Sequence, residues 1–119
     1  MKLGKFIKKG KCRRVYEHPT DETKVIKVAH RPKRNHNSYE WEVWNKLKGT
    51  EYEKSIAPCH EISDCHKYLV MERAGKMTLH LKPPMMPEGF KDIKKRSNLG
   101  WIEGRVVIID YANAGGFLG

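Results

Sequence analysis

In the first quarter of the chain short apolar pairs, Phe6-Ile7, Val15-Tyr16, Val25-Ile26 and Val28-Ala29, are set among polar residues and turn signals. Residues 3–9 and 12–18 read as two short strands, with Gly10 at the turn between them and Val15 and Tyr16 as the clearest strand formers. Pro19-Thr20-Asp21-Glu22 is a turn, and Thr23 to Ala29 is a third strand. In that strand Val25 and Lys27 share one face and Ile26 and Val28 the other, which plants a lysine among apolar neighbours. On a half-exposed sheet such a lysine snorkels to water. After Pro32 the pattern changes. Asn37 to Lys48 has helical spacing, with Val43, Trp44 and Leu47 on one stripe and Gly49 as a natural stop. Glu40 falls on the same stripe, and a carboxylate on a buried face needs a partner. Two are available: Asn37-Ser38-Tyr39-Glu40 has capping-box spacing, and Lys27 is a cation within a strand. Glu42, four residues before Lys46, reads as half of a solvent pair.

Ile56 to Ser63 and His66 to Glu72 form a hairpin around Asp64, with Tyr68-Leu69-Val70-Met71 as its core arm. Arg73-Ala74-Gly75 breaks the pattern, Lys76 to Leu81 is ambiguous, and Pro83 to Pro87 is an extended connector. Phe90 to Asn98 is short, basic and polar. Val106 to Ile109 is the longest purely aliphatic run; following Glu103-Gly104, it reads as a strand buried on both faces or as the second arm of a hairpin. Asp110 ends that strand. It either begins a turn or holds a carboxylate at the rim of the core, free to meet a cation. Trp44 and Trp101 belong to core packing, and Trp41 is the tryptophan expected to be exposed.

With 119 residues the chain is expected to be one domain, residues 1–119, with a real core. The hydrophobic share is 39%, and no apolar run approaches the ~20 residues a membrane span requires. Met1 to Lys9 has no apolar block of the kind a secretory signal needs, so a cytoplasmic protein with no membrane partner is expected. Three cysteines, Cys12, Cys59 and Cys65, fit a reducing compartment. Cys59-His60 and Cys65-His66 contain zinc-type ligands, but adjacent residues on a strand face opposite ways, which argues against one shared ion. Charge changes the picture most. Lys+Arg number 24 against 14 Asp+Glu, a net of +10, and they cluster at Lys2 to Arg14, Arg31 to Arg34 and Lys91 to Arg96. A polyanion is the implied partner, whether nucleotide or nucleic acid.

Taken together, these residues stand in an order that resembles the protein-kinase-like fold. Ile7-Lys8-Lys9-Gly10-Lys11-Cys12-Arg13-Arg14-Val15-Tyr16 resembles a phosphate-covering loop with Gly10 as its surviving glycine, and with Lys8 and Arg13 adding phosphate-seeking charge where glycines would stand. Val25-Ile26-Lys27 resembles the end of V-A-I-K, which implies that Lys27 holds the α- and β-phosphates with Glu40 as its helix partner. Tyr68 to Ala74 is similar to the last strand leading into an adenine-binding hinge, placing Glu72 and Ala74 beside a nucleotide. Phe90-Lys91-Asp92-Ile93-Lys94 resembles H-R-D-L-K, which implies Asp92 as catalytic base and Lys94 as the lysine steadying the transferred group. Asn98 and Asp110, the latter in Asp110-Tyr111-Ala112, would be the Mg²⁺ ligands. The closing stretch also resembles small kinase-like proteins of bacteriophages, which would place the protein in the host cytosol.

The resemblance implies an α+β fold: a kinase N-lobe-like antiparallel five-stranded sheet with one main helix over residues 1–74, a shortened connector over 75–90, and a catalytic-loop remnant with a β-hairpin over 91–119. Ala74 to Phe90 is too short for the two helices that bridge hinge and catalytic loop in that fold, so the C-lobe is expected to be truncated. Two functions follow as expectations. One is a minimal kinase-like protein binding ATP and Mg²⁺ in a basic cleft, with or without transfer of the γ-phosphoryl group. The other is a non-catalytic scaffold of pseudokinase type that binds a host protein or nucleic acid through its basic surface.

Overall fold

The computed structural model describes residues 1–10, 12–30, 35–76, 82–87, 90 and 96–112. They form an α+β fold with one main helix and two antiparallel sheets. The first sheet contains β1 (Phe6–Lys9), β2 (Arg13–Glu17), β3 (Lys24–Ala29), β4 (Cys59–Ile62) and β5 (Tyr68–Glu72), in the order β1-β2-β3-β5-β4. The helix α1 (His36–Leu47) follows β3. The second sheet contains β6 (Gly75–Lys76), β7 (Leu99–Ile102) and β8 (Arg105–Ile108), in that order.

Register explains what the first sheet buries. Val15 pairs with Lys27 and Lys27 with Leu69, while Val25 pairs with Met71 in the neighbouring row. Cross-strand partners share a face, so these rows face α1 and bury Val15, Val25, Leu69 and Met71 against Val43 and Leu47. Tyr16, Ile26 and Val70 form the corresponding row on the other face. The helix starts at His36, because the Asn35 side chain accepts the Ser38 N–H at 3.1 Å, and it stops at Gly49, whose φ of +82° is left-handed.

The closing hairpin has a two-residue loop in which Glu103 and Gly104 both have positive φ, 50° and 76°, the geometry that matches strand twist. It is also wider than the sequence pattern indicated. Gly75 and Lys76 pair with Trp101 and Gly100 and make a third strand out of what reads as a break. That approach depends on Gly100: a Cβ there would lie 2.8 Å from the Ala74 Cβ and 2.9 Å from the Gly75 carbonyl oxygen. Gly100→Ala is expected to cost about 1–3 kcal/mol through overpacking, read as a lower midpoint in denaturant unfolding.

The two sheets share one core. Ile56, expected to open a strand, instead forms an isolated parallel bridge with Ile108, and the Ala57 N–H donates to the Ile108 carbonyl at 2.9 Å. Ile56, Leu99, Val107 and Ile108 thereby join the cluster that holds Val43 and Leu47. Trp41 is half-buried against this core rather than exposed, as are Trp44 and Trp101. Lys82 to Pro87 carry no regular secondary structure, in line with a connector. Among the described residues no helix is long and apolar enough to cross a membrane.

Candidate functional site: a buried cluster of four charges

Lys27 faces the core side of β3, and α1 closes the route by which its side chain would reach water. Only 6% of the residue is exposed. Its ammonium donates to Glu40 Oε1 at 2.8 Å and to the Ile109 carbonyl at 2.5 Å. Glu40 is fully buried on the apolar stripe of α1. Of its two possible uses the structure takes the cation, since Asn35 caps the helix. The Tyr111 backbone N–H donates to Glu40 Oε2 at 2.7 Å and ties the chain just beyond β8 to the same carboxylate.

A second cation completes the cluster. Arg13 lies two residues before Val15 on β2 and therefore shares its inward face. Its Nη1 donates to Glu40 Oε1 at 2.7 Å and to Asn37 Oδ1 at 3.1 Å, and its Nη2 donates to Asp110 Oδ1 at 3.0 Å. Asn37, also fully buried, donates through Nδ2 to the carbonyls of Lys27, His66 and Lys67, so it braces the Arg13 end of the helix against β3 and the β4–β5 turn. Two cations and two carboxylates balance. Only Asp110 opens to solvent, with 47% of its side chain exposed.

Burial alone would lower the Arg13 guanidinium, but the charges of Glu40 and Asp110 outweigh it and hold it above its ordinary value. Burial would raise Asp110, yet Lys27, Arg13 and Lys8 hold its carboxyl below the usual range. Lys8 pairs with Val15 and so takes the same face at the exposed edge strand β1. Partial desolvation and then the like charge of Lys27 lower its ammonium, against the pull of Asp110.

Behind the cluster, the Tyr111 hydroxyl donates to the Ala57 carbonyl at 2.7 Å and lies 3.2 Å from the Cys59 thiol. Burial, followed by the nearby Glu40 charge, pushes the thiol up from 9.0 to about 12. An unfolded chain releases that proton near 9 and the folded chain near 12, so stability falls as pH rises through this window. Cys59→Ala is expected to flatten the fall, measured by unfolding at stepped pH. Cys65 is exposed, and the Ser63 hydroxyl and then the Lys67 backbone lower its thiol. A thiol reagent at pH about 8 should therefore modify Cys65 and spare Cys59 in the folded protein.

The cysteine and histidine pairs of β4 and the turn after it have separate partners. His60 Nε2 is 2.8 Å from Glu72 Oε1, and His66 Nδ1 is 2.6 Å from Ser38 Oγ. Among the residues read as site members, Lys27, Glu40 and Asp110 come together. Asn98 lies one strand away, its carbonyl accepting the Ile109 N–H at 2.7 Å. Gly10 closes the β1–β2 turn by donating to the Arg13 carbonyl at 2.7 Å. The Glu72 side chain points to the sheet face opposite Lys27, and Ala74 packs against the core. Asp92 and Lys94 lie outside the described residues, as do Lys91, Lys95 and the basic run Arg31 to Arg34. Arg13, whose resemblance is to loop charge, instead faces inward, as its spacing of two from Val15 on one strand allows.

These residues fit the two groups that the kinase resemblance implies unequally. Exposed Lys8 beside half-open Asp110, with the charges of Lys27 and Arg13 buried beneath, suits a polyphosphate. For Mg²⁺, which takes near-octahedral oxygen at about 2.0–2.1 Å, the Asp110 Oδ1 position already carries a guanidinium, and among the described residues no three His, Cys, Asp or Glu side chains form a metal-holding group. No protein-family model and no curated protein sequence matches the chain.

Proposed function

We propose that this chain is a kinase-like nucleotide-binding protein that takes the phosphates of a nucleoside triphosphate such as ATP at the rim formed by Lys8 and Asp110, with Lys27 buried just beneath. The observation that carries the reading is the Lys27–Glu40 ion pair of 2.8 Å, set under an antiparallel sheet with Asp110 beside it. A polyphosphate is bound best by cations whose positions are fixed beforehand, and Glu40 fixes Lys27 on the sheet. Five antiparallel strands with a helix after the third also support it. In this reading γ-phosphoryl transfer falls to Asp92, Lys94 and Asn98, the positions taken over from the kinase resemblance. A second reading, capture of a host protein or nucleic acid, is favoured by the exposed Lys5, Lys9 and Arg14 beside exposed Phe6 and Ile7 on the β1–β2 hairpin.

Calorimetric titration with ATP tests the first reading. Binding by the wild type and an affinity at least tenfold weaker for Lys27→Met are expected; no heat from the wild type removes it. Given binding, transfer or release of a labelled γ-phosphate that disappears in Asp92→Ala separates an enzyme from a binding protein. The second reading predicts duplex DNA binding that weakens steeply with salt, with a log–log slope near −0.9 per phosphate contacted.

A further inference from the structure

We infer that Arg13 takes the place of a divalent cation at this site, so that the polyphosphate is held without Mg²⁺. This rests on the nucleotide reading above and concerns how the site is neutralised. In metal-dependent phosphoryl sites a divalent ion stands between a carboxylate and the phosphates and cancels the charge of both. Here the carboxylate is already cancelled. Arg13 Nη2 is 3.0 Å from Asp110 Oδ1, while its Nη1 is 2.7 Å from Glu40 Oε1 and 3.1 Å from Asn37 Oδ1.

This guanidinium is a built part of the site rather than a surface arm folded inward. The β2 register directs it to the core face, three acceptors receive it, and only 6% of the residue is exposed. A Mg²⁺ ion on Asp110 would stand within a few ångströms of the guanidinium and repel it. Were Arg13 to leave, Glu40 would keep Lys27 as its single cation and Asn37 Oδ1 would lose its donor. The planar fork of arginine suits a carboxylate without the strict octahedral shell that Mg²⁺ demands. With Asp110 neutralised from below, Lys8 is left to meet the phosphates from the open side, and buried Lys27 adds its charge from beneath.

The test compares ATP affinity in excess EDTA with that in excess MgCl₂, by calorimetry on the full chain. Wild-type protein should bind ATP in EDTA with an affinity within about threefold of that in Mg²⁺, or tighter. Arg13→Gln should bind at least tenfold more weakly in EDTA than in Mg²⁺, because Asp110 then needs another cation. Asp110→Asn, which keeps the shape and leaves the Arg13 charge uncancelled at the rim, should bind ATP more tightly than wild type in EDTA. If Arg13→Gln does not fold, as judged by circular dichroism, the wild type and Asp110→Asn decide the matter. Wild-type binding that appears only with Mg²⁺, or Asp110→Asn binding that is weaker in both media, overturns the role of Arg13 and leaves the nucleotide reading standing. Absence of wild-type binding in both media overturns both.

Discussion

Glu40→Ala is expected to destabilise the fold by about 3–5 kcal/mol, the cost of stranding buried charge. Arg13 and Lys27, each 6% exposed, both donate to Glu40 Oε1, and Oε2 accepts the Tyr111 N–H. Without that carboxylate two buried cations face each other across the space it left. Arg13 keeps half-open Asp110, and Lys27 keeps the Ile109 carbonyl. A domain of this size is stable by about 5–15 kcal/mol, so about a fifth or more of the total is at stake and the melting temperature should fall by ~10 °C or more. Replacing Arg13, Lys27 and Glu40 together by Met should recover most of the loss, since the charges and their desolvation penalty go together, while ATP binding disappears. Denaturant unfolding of both variants checks this. A Glu40→Ala protein within ~1 kcal/mol of wild type would contradict the burial argument.

The second large effect is expected at Tyr111, where the two sheets and the charge cluster meet. Its ring is 1% exposed, its hydroxyl holds the Ala57 carbonyl, and its N–H holds Glu40. Tyr111→Ala removes a filled core volume and should cost about 3–5 kcal/mol. Tyr111→Phe keeps the ring and leaves the Ala57 carbonyl without that donor, which should cost about 1–3 kcal/mol. The gap between the two variants, measured by chemical denaturation, separates packing from hydrogen bonding at the joint. Equal losses would mean that the hydroxyl, not the ring, holds the sheets together.

The positions of Lys27 and Glu40 could be read in the chain because each breaks its own pattern. A lysine inside an alternating strand and a glutamate on an apolar helical stripe are both costly unless they meet, and they do, at 2.8 Å. Arg13 gave no such contrast. It stands in a stretch where most neighbours are basic, so the parity with Val15 that turns it inward is a weak signal among the surrounding charges. Two strand boundaries were hidden for a different reason. Gly75 and Lys76 carry no hydrophobic alternation, and they become β6 by backbone pairing with a strand over 20 residues away that glycine at 100 allows to approach. Ile56 looked like the start of β4 because it is apolar and close by; its bridge to Ile108 is a tertiary contact that local pattern does not encode. Trp41 shows the same limit, since its partial burial comes from packing against the shared core.

A polyphosphate is proposed to bind at the charge cluster. Backbone amide NMR during a titration with ATP tests this most directly. Concentration-dependent shifts are expected at Lys27 and Asp110, which belong to the cluster, and at Gly10 and Tyr111, whose backbone N–H groups bond to its members. Shifts confined to Lys5, Lys9 and Arg14 on the exposed hairpin, with Lys27 and Tyr111 unmoved, would contradict it.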